Sequence, residues 1–166
     1  MTDEAPQSLR TELCPAQPGP YIAMLRMFIG YWFLKAGLDK LIAGDFPTKL
    51  PGIFDAWVKD NPFPWYKDFL LGVAMPHSGV FGFLVPWGET LAGLALVLGI
   101  GTGIACFFGM FMCGNYYLAG GHSSPAVAGT NLLMVVSCLT LWGTKSGRYF
   151  GVDVFVRRYI RINWLF

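Results

Sequence analysis

The sequence predicts an all-α integral membrane protein, a four-helix bundle with a long aromatic extracytoplasmic connection between its first two spans. Three observations predict it. Of 166 residues, 54% are apolar and only 13% are charged, against about 25% charged in an average soluble chain, and mean hydropathy is +0.48. Four apolar stretches approach the roughly 20 residues that cross a bilayer core. Runs such as residues 94–98 and 132–136 are continuously apolar, without the alternation of a membrane β-barrel. Helices fit these runs because each satisfies its own backbone hydrogen bonds in lipid. High apolar content with low charge excludes disorder, and a net charge of +2 gives no footprint for nucleic acid.

Residues 1–20 form a polar arm outside the bilayer, with Pro6, Pro15, Pro18, Pro20, Asp3, Glu4, Arg10 and Glu12. It is acidic as well as basic, and the apolar run after it is too long for a signal peptide. Span one covers 21–43 and carries Arg26, Lys35, Asp39 and Lys40. Residues 45–76 connect it to span two and hold Pro47, Pro51, Pro62, Pro64 and Pro76 among many aromatics. Segments 51–59 and 64–73 are long enough for two short helices at the membrane–water boundary. Span two, 78–100, contains Pro86 and one charge, Glu89. Spans three and four, 101–119 and 125–143, carry no charge. Gly99, Gly101 and Gly103 read as the turn of a helical hairpin, since no strand precedes them to support a phosphate loop. Together these spans make a transmembrane domain over 21–144, followed by a basic tail, 145–166. Lys145, Arg148, Arg157, Arg158 and Arg161 place that tail in the cytoplasm by the positive-inside rule. Both termini are then cytoplasmic in a multi-pass inner-membrane protein, with the 45–76 connection and His122 outside. The tail's basic cluster suits anionic lipid or a partner protein.

Charged side chains within spans cost about 2.5–3.5 kcal/mol each at the centre and usually pair inside the bundle. Glu89 lies near mid-depth. At 1.5 Å per residue, Lys35 is roughly 12 Å, Glu89 roughly 16 Å and Arg26 roughly 26 Å from the outer face. Depth therefore favours Lys35 over Arg26 as the partner of Glu89, although Lys35 and Asp39 can also pair along one helix. Two readings stay open: a proton-handling or quinone headgroup site, or an interhelical tie.

His122, between spans three and four, is a candidate ligand for a quinone carbonyl, a metal or a tetrapyrrole, or else an exposed loop histidine. His77 sits on the same side. Two histidines fall short of the three or four ligands of a metal site, so no metal is expected. Asn115, Tyr116 and Asn131 are interhelical hydrogen-bond partners or ligand contacts. Cys14, Cys106, Cys113 and Cys138 form no CxxC or CxxCH motif. Cys106 and Cys113 lie about 10.5 Å apart along one helix, too far to bridge. No Walker loop, HExxH or GxSxG occurs, so the chain carries no recognisable catalytic apparatus of its own.

Three segments carry a family likeness. Arg26 to Gly30 followed by Leu34-Lys35-Ala36-Gly37-Leu38-Asp39-Lys40-Leu41 is one. Gly88-Glu89 with Gly93 and a leucine-rich run is another, and Ser146-Gly147-Arg148-Tyr149-Phe150-Gly151-Val152-Asp153 closes the set. In this order the sequence resembles the DoxX-like family of small four-helix membrane proteins, which includes the DoxD subunit of thiosulfate:quinone oxidoreductase. The aromatic connection also resembles that of DoxD-type subunits. The resemblance implies respiratory or sulfur-linked electron transfer to quinone and a heteromeric partner complex.

The leading expectation is a membrane subunit of a quinone-linked electron-transfer complex, a non-catalytic or co-catalytic part of an oxidoreductase. It anchors the complex or shapes a quinone pocket lined by Arg26, Lys35, Glu89, Asn115 and His122, with Glu89 as proton relay. The alternative is a noncatalytic accessory subunit packed on a larger respiratory or photosynthetic complex and holding lipid or pigment, with His122 a ligand to chlorophyll or haem. A small-solute transporter fits less well, because no internal repeat or paired broken helices appear.

Overall fold

The computed structural model describes residues 18–153. The expected N-terminal arm, apart from its last three residues, and the cationic cluster Arg157, Arg158 and Arg161 lie outside the described residues. All the regular structure within them is helical. Helix α1 is Gly19–Ala43, α2 is Phe46–Val58 and α3 is Pro64–Phe69, continued by a wide turn at Leu70–Ala74. Helix α4 is Ser78–Leu98, α5 is Thr102–Gly120 and α6 is Pro125–Gly143. Short 3-10 turns at Gly121–Ser123 and Ser146–Arg148 follow α5 and α6.

The ends of the helices follow from local chemistry. Gly44 stops α1 in the left-handed region, at φ 68°, with its N–H on the Lys40 carbonyl at 3.3 Å. Between α4 and α5 the chain reverses with φ 68° at Gly99 and 58° at Gly101, which a residue without Cβ adopts freely. Ser124 caps α6 by accepting from the Ala126 N–H at 3.1 Å, with Pro125 in the first turn where its missing N–H costs nothing.

The 45–76 connection holds the two expected short helices, the second starting at Pro64 as expected and the first at Phe46 rather than at Pro51. Pro47 occupies the first turn, and Pro51 four residues on forgoes a bond to the Pro47 carbonyl without stopping the helix. The α2–α3 arm then packs its aromatic side inward. Leu50, Phe54, Tyr66, Leu70 and Ala74 bury against Ala119 of α5. Asn61 fastens the arm by donating to the Leu118 and Ala119 carbonyls at 3.0 and 3.1 Å, two of the acceptors a helix C-terminus leaves free.

Helix α1 packs most extensively on α4, and α5 on α6. The main core holds Ile29, Phe33, Leu96, Cys106, Cys138 and Leu141. Outward faces are apolar too: Phe28 and Trp32 on α1, Phe83 and Leu91 on α4, Phe107 and Phe111 on α5, Leu132 and Leu133 on α6 are all exposed. Buried Arg26 and Glu89, with large apolar side chains outside, suit a lipid surround. Among the described residues α4 and α6 are long and apolar enough to cross a membrane; α1 is interrupted by four charges and α5 by Asn115, Tyr116 and Tyr117.

Candidate functional site

The site grows out of a stripe of small residues on α1. Gly19, Ala23, Arg26, Gly30, Phe33 and Gly37 are buried at alternating spacings of four and three, the pattern of a helix seam. Where glycines fall on the seam the backbones touch. A Cβ on Gly37 would stand 2.6 Å from the Thr90 nitrogen, and one on Gly30 2.7 Å from the Val97 nitrogen. This close approach fixes the antiparallel register of α1 and α4 and sets Glu89 beside Gly37.

Lys40 is the next member of the stripe. Helical side chains lean toward the N-terminus of their helix, so its ammonium lies back over the preceding turn, 3.4 Å from the Ala36 carbonyl. There Lys40 Nζ donates to Glu89 Oε2 at 2.5 Å, while Tyr116 Oη from α5 donates to Glu89 Oε1 at 2.8 Å. Glu89 is 3% exposed, so both carboxylate oxygens are served inside the protein. Phe46 of α2 places its ring 5.6 Å from Lys40 Nζ, within cation–π range.

Tyr116 and Phe46 also form part of the wall of a cavity of about 150 Å³ between the α2–α3 arm and helices α4 and α5. Leu50, Phe54, Phe81 and Phe111 make much of the remaining surface. Its polar positions are few. Besides Tyr116 they are Asn115 and Tyr66, whose hydroxyl donates to Asn115 Oδ1 at 3.0 Å. Burial pushes the Tyr66 phenol up to about 12. Asn115 Nδ2 donates to the Phe111 carbonyl at 2.8 Å. An apolar cavity of roughly this volume stays dry and takes one aromatic ring.

A second polar cluster sits at the other end of α1, about 21 Å from Lys40 along the axis. Arg26, fully buried, donates from Nη1 to the Ser146 carbonyl at 2.8 Å and from Nη2 to the Phe150 carbonyl at 3.1 Å. Asp153, equally buried, accepts from the Gly101 N–H at 2.7 Å, the Thr102 N–H at 3.2 Å and the Thr102 hydroxyl at 2.7 Å. Asp153 thus caps α5 from a distant part of the chain, and Arg26 holds the strap that carries it.

The DoxX family model matches residues 21–120. The chain belongs to the DoxX family. No curated protein and no solved structure matches it. Membership and the two apolar helices make this DoxX chain a membrane protein, with a redox or quinone-related association.

The matched stretch of this DoxX chain includes Arg26, Lys40, Glu89 and Tyr116, but the five residues expected to line one pocket do not meet. Glu89 and Asn115 belong to the cluster and cavity just described. Arg26 is committed to the Asp153 end. Lys35 does not reach Glu89: its side chain is 58% exposed and pairs with Asp39. Depth does not select the partner because the two lysines occupy different faces: five residues turn a helix by about 140° from Lys35 to Lys40. His122 lies on the turn after α5, off the cavity wall, with Nδ1 buried and without a partner among the described residues. His77 bonds the Val73 carbonyl at 2.8 Å on an exposed surface. The four–three spacing of Arg26, Gly30, Phe33 and Gly37 extends to Lys40 and puts it on the buried seam, but names no partner across it. Phe46 and Tyr66 had no such signal, because no periodicity linked the connection to α4 or α5.

Proposed function

We propose that this DoxX chain is a four-span subunit, of the DoxD type, of a quinone-linked electron-transfer complex in the cytoplasmic membrane. Its ring-sized cavity takes the quinone headgroup, and both chain termini face the cytoplasm. One observation carries this reading: Tyr116 joins a buried, ion-paired carboxylate to the wall of an aromatic-lined cavity.

Bound there, a quinone supplies acceptance of electrons and protons from the partner complex. The chain's residues do the rest. Aromatic walls from α2, α3 and α5 hold a flat ring and exclude water. Asn115 and Tyr116 offer the polar edge that orients it. Tyr116 bridges the cavity and Glu89 through a single hydrogen bond: the phenol Oη releases its proton toward the cavity and takes one back from Glu89 Oε1, which is reprotonated through the partly exposed Lys40 ammonium on Oε2. Lys40 keeps the carboxylate charged between transfers, and Phe46 shields that ammonium from the cavity.

Glu89→Gln keeps the shape of the side chain and removes the exchangeable carboxyl proton. The assembled complex should retain its subunits and lose quinone turnover by roughly 10²–10⁴-fold, the usual range for a positioned acid–base group. Unchanged turnover in an intact complex would remove the relay. The accessory-subunit reading draws on the exposed aromatic faces alone. Organic extraction of the purified protein separates the two readings: quinone supports the proposal, and a tetrapyrrole supports the alternative.

A further inference from the structure

Helices α4 and α5, which wall the cavity, also part on their outer side into an apolar cleft of about 520 Å³. The cleft is more than three times the size of the cavity. Its floor is made of small side chains, Gly88, Ala92 and Ala95 on α4 and Ala105 on α5, and its rims include Leu91 and Phe108. Gly88 nearly fails to touch α5: a Cβ there would meet only Met112 Sδ, at 3.4 Å. The contrast with the α1–α4 seam is sharp, since glycines there bring backbones into contact and here they leave space.

Cleft and cavity share a wall. Phe81, Val85, Phe111 and Met112 line both. A cavity that takes one ring has no room for a long substituent, and the wall it shares with the cleft leads to the exposed apolar faces of α4 and α5. We propose that the α4–α5 cleft seats the isoprenoid tail of the quinone whose ring occupies the cavity, so that the molecule enters sideways from the bilayer between these helices. This rests on the headgroup reading above. In a membrane the tail exchanges one hydrocarbon surrounding for another, so the cleft contributes direction more than affinity, and location is the quantity to measure.

The test uses the full chain in lipid nanodiscs and two probes. A tailless benzoquinone reports ring binding through quenching of Trp57, which lines the cavity, read as the difference between the parent chain and Trp57→Phe. A quinone with a diazirine on its tail reports tail position by cross-linking and peptide mapping. The expected result is saturable quenching with labels concentrated on residues 84–95 and 104–112. Gly88→Leu should then cut cleft labelling at least tenfold, whereas Gly129→Leu on α6, where an added Cβ meets nothing within 4 Å, should leave it as it was. Thermal unfolding checks that Gly88→Leu is folded, and Gly88→Ala gives a milder second point. Saturable quenching with labels scattered over α1 and α6 would overturn the tail route and leave the headgroup site standing. Absence of saturable quenching would overturn both.

Discussion

Lys40 Nζ and Glu89 Oε2 lie 2.5 Å apart across the seam between α1 and α4, with the lysine side chain 27% exposed and the glutamate 3%. An ion pair this deep is costly to form and costlier to break. Removing one partner of a buried pair commonly costs about 3–5 kcal/mol, whereas replacing both with apolar groups is often neutral. Lys40→Met should therefore destabilise the protein strongly in detergent unfolding, and Lys40→Met/Glu89→Leu should recover most of the loss. Additive losses in that double-mutant cycle would contradict the pairing. Lys35→Met should leave the coupling between Lys40 and Glu89 unchanged.

The same seam makes a prediction about size. Gly93 has no room for a Cβ against the Leu34 backbone, and Gly37 none against Thr90. Gly37→Val should force α1 off α4, lower the unfolding temperature and separate Lys40 from Glu89. Gly52, on α2, meets nothing within 4 Å, so Gly52→Ala should be neutral or stabilising by up to about 1 kcal/mol. Equal effects at the two sites would show that the helix contact is not as described.

Tyr66 sets a pH dependence. Its phenol titrates at about 12 in the folded protein against 10.0 for the free side chain, because burial disfavours the phenolate. The folded state thus holds this proton over a range where the unfolded chain releases it. The stabilisation is complete below pH 10 and is lost as pH rises through 12. Alkaline absorbance titration should show as many early-ionising tyrosines in Tyr66→Phe as in the parent chain, and stability should fall between pH 10 and 12. A Tyr66 that titrates normally near 10 would refute its burial against Asn115.

Asp153 serves three donors at the start of α5. Asp153→Ala strands them and leaves Arg26 without its buried counter-charge. Each charged hydrogen bond of this kind is worth about 1.5–3 kcal/mol, so the loss should be at least of that order by chemical unfolding. Quenching of Trp57 by a tailless quinone should persist in Asp153→Ala under native conditions, since the cap lies at the far end of α1. Loss of that quenching in a folded variant would mean the two clusters act as one.

Cavity volume predicts ring preference. With room for about one aromatic ring, a tailless benzoquinone should quench Trp57 at lower concentration than a tailless naphthoquinone. Ala74→Phe, which fills the cavity from the turn after α3, should weaken both. A preference for the two-ring compound would require a larger or more open site.

Length, composition and the order of apolar stretches determined on their own that this chain is helical, that it belongs with lipid and where its four long helices run. Those properties are local: a helix in lipid needs only enough apolar residues and its own hydrogen bonds. The glycine turn between α4 and α5 was legible for the same reason. Tertiary structure alone decided which cation meets Glu89, that Arg26 and Asp153 stand apart from it, and that an aromatic connection folds into a cavity wall. Position along a helix says how deep a side chain lies, but its partner depends on which face it occupies and on the register set where glycine backbones touch across the seam. Those contacts join residues about 50 positions apart, as Lys40 and Glu89 or Tyr66 and Asn115, and no local pattern encodes such a distance.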